Sequence, residues 1–370
     1  METRFQRLVI KFGTSTLTAG TPRLSLPRMV DLVRQISLLH ASGKEIVLVS
    51  SGAIAVGKER LNFPPLPKDI PAKQMLAAIG QPRLMAIYEQ LFSLYGITIA
   101  QVLLTRTDLT YRRSYINSRN TLSALVGSRV IPIVNENDTV ATEEIRVGDN
   151  DNLSAYVANL IEADLLVILT DQNGVFTADP RQDPNAKLIS DVTTTEIPEE
   201  VWQAAGGTSN GLGTGGMLTK LQAADLARRS GAMVVIAKGS DPDVLLNLAN
   251  GGSVGTRFHP VTTAVESRKR YILSGGRAIG ALVVDDGAVL ALRQGGSLLP
   301  VGVRSIEGTF ERGDSVRIIG QSGREVARGL VNYASADLGK ICGEKSDNIE
   351  KILGFAYGDE VIHHNNMVLL

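Results

Sequence analysis

Up to about residue 255 the chain alternates near-continuous aliphatic runs with stretches of helical period. Arg7–Phe12, Glu45–Val49, Ile97–Leu104, Val130–Val134, Leu165–Leu169 and Met233–Ala237 each read as a buried strand. Unbroken apolar runs suit a strand whose sheet is covered by helices on both faces. Between them, Leu32, Val33, Ile36 and Leu39 share one helical face that Gly43 ends. Met75, Ile79, Met85, Tyr88 and Phe92 predict a second helical region, interrupted around Gly80 and Pro82. Leu221, Ala224 and Leu226 predict a third. Strand–helix alternation of this kind specifies an α/β fold, a three-layer αβα sandwich with a mostly parallel central sheet.

The texture changes after Thr256. Residues 257–275 carry no strong core period and include Arg268-Lys269-Arg270, so they read as a linker between a first domain, 1–256, and a second, 276–370. From Gly280 onward short runs (Ala281–Val284, Val316–Ile319, Glu325–Leu330) are separated by glycine-containing turns, the pattern of a small β-rich barrel with one or two short helices. His363-His364 reads as part of a solvated tail.

Composition narrows the function classes. Apolar residues make up 44% of 370, enough for a large core. The 38 basic residues balance 38 acidic ones, which argues against a protein that lives on nucleic acid or an acidic membrane. The lone Cys342 excludes an internal disulfide and any cysteine zinc cluster. The opening residues run into a strand with no secretory apolar stretch, and runs such as Leu165–Leu169 are too short to span a bilayer. A cytoplasmic protein is expected.

Five segments carry candidate chemistry. Val9–Ser15 ends a strand in Lys11, followed by Gly13 and two hydroxyl residues; such a lysine points into the crevice where open α/β sheets bind ligands, or simply into water. Val49–Ala55 runs through Ser50-Ser51-Gly52 into a helix, a geometry that serves either an N-cap or an anion. Asn135–Asp138 and Val147–Asn152 are two dense polar clusters a short loop apart; their amides and carboxylates suit a ligand bearing both an ammonium and a carboxylate. Leu169–Gly174 ends a strand in Thr170-Asp171. Gly211–Lys220 is a glycine-rich loop entering a helix, with Lys220 about one turn in. Gly211–Gly216 fits G-x-G-x-x-G, but no strand precedes it and Asp225 comes too early for a dinucleotide fingerprint; a Walker A sequence is absent. Neither a histidine–carboxylate cluster at metal-ligand spacing nor a G-x-S-x-G elbow occurs.

Taken in this order, Val9–Ser15, Val49–Ile54, Asn135–Asp138, Gly148–Ala155, Leu169–Gly174 and Gly211–Lys220 closely resemble the amino acid kinase family. Gly276–Gly354 resembles a PUA domain. The resemblance implies transfer of the γ-phosphoryl group of ATP to the side-chain carboxylate of L-glutamate, the first step of proline biosynthesis. It assigns Lys11 and Lys220 to catalysis, with Asp151 organising them; the bland reading of Asp151, a cap on a helix from Leu153, is compatible with that role. It assigns Ser51, Gly52, Asn135, Asp138 and Asn150 to glutamate. It assigns Lys11, Gly13, Thr170, Asp171, Thr214, Gly215, Gly216, Met217, Leu218, Thr219 and Lys220 to ATP. Mg2+ is expected on the nucleotide phosphates, with no protein ligand named. The resemblance further implies feedback inhibition by proline, a homo-oligomer (dimer or tetramer), and transient contact with glutamate-5-semialdehyde dehydrogenase.

Two alternatives accompany this reading. One is a sibling kinase acting on acetylglutamate, aspartate, carbamate or a nucleotide. The other is an RNA-binding or RNA-modifying factor that uses the PUA domain. From Glu266 to Leu370 there are 13 Lys+Arg and 13 Asp+Glu, so that segment has no basic excess to neutralise a phosphate backbone.

Overall fold

The computed structural model describes residues 5–67, 69–141, 150–180, 182–206, 216–263, 265–267, 272–273 and 278–370. The aliphatic runs become β1 (Arg7–Phe12), β2 (Glu45–Ser50), β3 (Ile99–Leu104), β4 (Ile131–Glu136), β5 (Leu165–Thr170) and β7 (Met233–Lys238). Two short strands, β6 (Asp191–Val192) and β8 (Thr256–Phe258), complete one sheet of order β3-β4-β2-β1-β5-β7-β8-β6. The pairs from β3 to β7 are all parallel, and β8 runs antiparallel to β7. The chain leaves β1 toward β2 on one side and later returns to pair β5 on the other. The carboxyl end of β1 therefore lies where the strand order reverses, the usual ligand crevice of an open α/β sheet.

Helices cover this sheet because the loops between parallel strands must cross back over it. Leu26–Ala41 and Ile70–Ser93 press Met29, Leu32, Ile36, Leu84, Tyr88 and Phe92 against Leu8, Ile10 and Phe12 of β1. The interruption expected at Gly80 and Pro82 does not occur: Ile70–Ser93 is one helix with Pro82 inside it. The reason is packing. A Cβ on Gly80 would stand 1.8 Å from the Ala53 carbonyl oxygen, and one on Gly57 would stand 2.0 Å from that of Leu76. The helices Ala53–Arg60 and Ile70–Ser93 thus meet backbone to backbone, and buried Ala77 and Leu84 hold the longer one on both sides of the proline.

The chain divides into two units, Met1–Thr110 with Ser118–Ala264, and Tyr111–Asn117 with Val265–Leu370. β8 carries the large sheet through Phe258, two residues past the boundary expected at 256. The second unit holds a five-stranded sheet of order β10-β9-β11-β12-β13, formed by β9 (Gly280–Val284), β10 (Val303–Glu307), β11 (Ser315–Gly320), β12 (Glu325–Leu330) and β13 (Met367–Leu369). Leu282, Val284, Val316, Ile318, Tyr333, Leu338 and Ile362 form its core. The segment around His363-His364 is not a solvated tail. Val361 and Ile362 are fully buried, Ile362 bridges Leu298, and the last residues pair with β12. Among the described residues no helix is long and apolar enough to cross a membrane.

Candidate active site

Side chains alternate along a strand, so with Leu8, Ile10 and Phe12 in one core, Val9 and Lys11 point to the opposite face. There the helices Asn150–Leu160 and Met217–Arg228 bring one carboxylate and a second lysine to β1. Lys11 Nζ lies 2.5 Å from Asp151 Oδ1, and Lys220 Nζ lies 3.2 Å from Asp151 Oδ2. The Thr219 hydroxyl donates to the same Oδ2 at 2.7 Å. All three are buried: Lys11, Lys220 and Asp151 are 5%, 7% and 1% exposed. Burial alone would push the Asp151 carboxyl up. The ammonium groups of Lys11 and Lys220, with hydrogen bonds from Lys11 and Thr219, outweigh it and hold the carboxyl well below the usual carboxylate range. Both cations thus meet this one carboxylate at the first turn of the Asn150–Leu160 helix.

Asp151 does not cap a helix from Leu153; the helix begins at Asn150, and both residues sit in its first turn. Asn150 faces a second polar cluster. Its Nδ2 donates to Ser51 Oγ at 3.0 Å and to Asn135 Oδ1 at 2.9 Å, with the Ser50 carbonyl at 3.3 Å. Its own Oδ1 is buried and has no hydrogen-bond partner among the described residues. Ser51 follows the last residue of β2, and Gly52 turns the chain into the next helix at φ 107°, a conformation that favours glycine. No side chain caps that helix, so the N-cap reading of Ser51 does not hold. Asp138 lies in the turn beyond β4, where burial raises its carboxyl to about 6.

The remaining expected residues cluster at neighbouring strand ends. Thr170, buried, ends β5, and its hydroxyl donates to Asp171 Oδ1 at 3.0 Å. A Cβ on Gly13 would lie 3.5 Å from Lys11 Nζ and 3.6 Å from the Leu169 carbonyl oxygen, so this glycine keeps the floor open beside the lysine. Gly216 precedes the Met217–Arg228 helix and is exposed, as is Leu218, while Met217 is half-buried. Thr214 and Gly215, like Gly148 and Asp149 of the second polar cluster, lie outside the described residues.

Two features escaped the sequence reading. Thr219 was expected on nucleotide alone, yet it also braces Asp151. Gln81, buried, receives a hydrogen bond from Asn135 Nδ2 at 2.8 Å. Its only trace in the sequence is a polar residue between Gly80 and Pro82 in a largely apolar stretch.

Comparison with known proteins follows the same division of the chain. A family model described as the amino acid kinase family matches residues 6–238, and a PUA domain model matches residues 280–353. A curated protein of Shewanella oneidensis named glutamate 5-kinase is 51% identical over 370 residues, covering 100% of this chain and 99% of that one. Relatives of the same name from Photobacterium profundum and Vibrio campbellii are each 52% identical over 366 residues, covering 99% of this chain and 96% of theirs.

Proposed function

Since the chain belongs to the amino acid kinase family, we propose that it transfers the γ-phosphoryl group of ATP to the side-chain carboxylate of L-glutamate, giving L-glutamyl 5-phosphate. The reaction is that of its glutamate 5-kinase relatives and opens proline biosynthesis from glutamate. The observation that carries this reading is the adjacency of Asn150 and Asp151. One helical turn joins a polar cluster suited to an amino acid to a lysine pair suited to a phosphoryl group.

Both reactants are anions, so the protein's task is to hold them in line and neutralise charge on the moving group. Lys11 and Lys220 supply that charge from opposite elements, and Asp151 stops them repelling each other out of the site. On the acceptor side, Asp138 receives the substrate ammonium when ionised. Asn150 and Ser51, with Asn135 and Gly52 behind them, line the rest. On the donor side, Thr170 and Asp171 face the nucleotide, while Gly13, Gly216 and the first turn of the Met217–Arg228 helix hold the phosphates. Among the described residues no group of three or more His, Cys, Asp or Glu converges. Mg2+ enters with the nucleotide substrate, carried on its β- and γ-phosphates.

The same reading includes proline as a feedback inhibitor at the glutamate side, a homo-oligomer built through the kinase domain, and cytoplasmic location. It also includes hand-over of the labile acyl phosphate to glutamate-5-semialdehyde dehydrogenase. The deciding experiment is ADP release with and without L-glutamate, with hydroxylamine present to trap the acyl phosphate. Glutamate-dependent ADP release with matching hydroxamate is expected. ADP release indifferent to glutamate, or hydroxamate formed only with acetylglutamate or aspartate, would overturn the substrate assignment.

A further inference from the structure

The Asn150 carboxamide could by itself face either way, and two backbone groups decide the matter. A backbone N–H only donates, and that of Glu136 points at the Asn135 side chain at 2.9 Å, so the atom receiving it is Oδ1. Asn135 Nδ2 then faces Gln81, whose receiving atom at 2.8 Å must be Oε1. Gln81 Nε2 in turn donates to Gln101 Oε1 at 3.1 Å, on β3 at the exposed edge of the sheet. On the other side, Asn135 Oδ1 and the Ser50 carbonyl, an obligate acceptor, both receive Asn150 Nδ2. Every amide in this chain has one permitted polarity, and the chain ends on Asn150 Oδ1, buried and without a donor among the described residues.

We infer that Gln81 is a positioning residue for the phosphoryl acceptor: through Asn135 it fixes the Asn150 carboxamide so that its oxygen is presented to a hydrogen-bond donor of the substrate. The donor of matching chemistry is an ammonium group, so the inference rests on, and deepens, the amino-acid substrate proposed above. Gln81 makes no hydrogen bond to Lys11, Lys220 or Asp151. It is held at a fixed height because its neighbour Gly80 lies against the backbone of the crossing helix. Without an acceptor at position 81, Asn135 Nδ2 is buried unpaired, and Asn135 loses the partner that holds its side chain in place against Asn150.

The test compares Q81M and Q81E with the wild-type full chain, measuring KM for L-glutamate and for ATP separately together with thermal unfolding. Methionine fills the space without an acceptor; glutamate is isosteric and keeps one. Q81M is expected to raise the glutamate KM about tenfold and to leave the ATP KM within about twofold. Q81E is expected to stay within about threefold of wild type for both. An unchanged glutamate KM in Q81M, a parallel rise in both KM values, or equal damage in Q81E would overturn the inference. Should Q81M fail to fold, Q81E decides alone: a near-native glutamate KM supports the role, and a tenfold rise refutes it. A wild-type chain without glutamate-dependent turnover would instead overturn the substrate reading, so the two failures are distinguishable.

Discussion

Lys11 and Lys220, from opposite ends of the kinase unit, end on the two separate oxygens of Asp151, 2.5 and 3.2 Å away. The carboxylate sets the spacing of the two ammonium groups before any nucleotide arrives. Such preorganisation is what makes a charge effective on a transition state, since nothing need reorient during transfer. Replacing either lysine by alanine is expected to lower kcat by about 10²–10³ with a much smaller change in glutamate KM. Steady-state kinetics of K11A and K220A check this, and turnover within threefold of wild type would refute the assignment.

Asp151 itself should matter for the fold. In D151N two buried ammonium groups lose a counter-charge they share, which costs about 3–5 kcal/mol by analogy with breaking other buried ion pairs. The pH dependence has a definite sign. The folded carboxyl titrates well below its unfolded value of about 4, so its contribution is present above pH 4 and lost as pH falls below it. Denaturant midpoints measured from pH 3 to 7 should fall at the acid end in wild type and fall less in D151N.

Asp138 behaves oppositely. Burial raises its carboxyl to about 6, so it is neutral just below that pH and ionised above it. If it receives the substrate ammonium, glutamate KM should climb as pH drops through 6, reaching about tenfold by pH 5, while ATP KM stays level. Fold stability should follow the reverse trend: the contribution of this group is present below pH 4 and lost as pH rises through 6. D138N should abolish the pH dependence of KM and weaken glutamate at every pH.

The Gly57–Gly80 crossing predicts a substitution that damages the fold without touching a polar group. G80A would drive a methyl into the Ala53 carbonyl, and overpacking of this kind costs about 1–3 kcal/mol or more. Thermal unfolding of G80A should show a lower midpoint, with G57A similar. A surface glycine with open space around it, such as Gly127, provides the control.

The strands and the strand-end chemistry were legible because both depend on short-range pattern. Aliphatic runs announced β1, β2, β4, β5 and β7 almost to the residue, and Lys11 and Thr170 sat where those runs ended. Three things were not legible. The unbroken helix over Pro82 depends on glycines more than twenty residues apart meeting in space, which no local window contains. The role of Gln81 depends on hydrogen-bond polarity passed from the Glu136 N–H through Asn135, a relation visible only once β4 and the helix lie side by side. His363-His364 was misread for a similar reason: a strand as short as β13 has no period of its own and exists only because β12 supplies its partner.

That last strand has a practical consequence. Met367–Leu369 covers the open hydrogen-bonding side of β12, so trimming a few terminal residues would leave a row of backbone donors and acceptors free to capture a neighbouring molecule. Versions of this chain that lack Met367–Leu369 are therefore more exposed to self-association than versions that keep them.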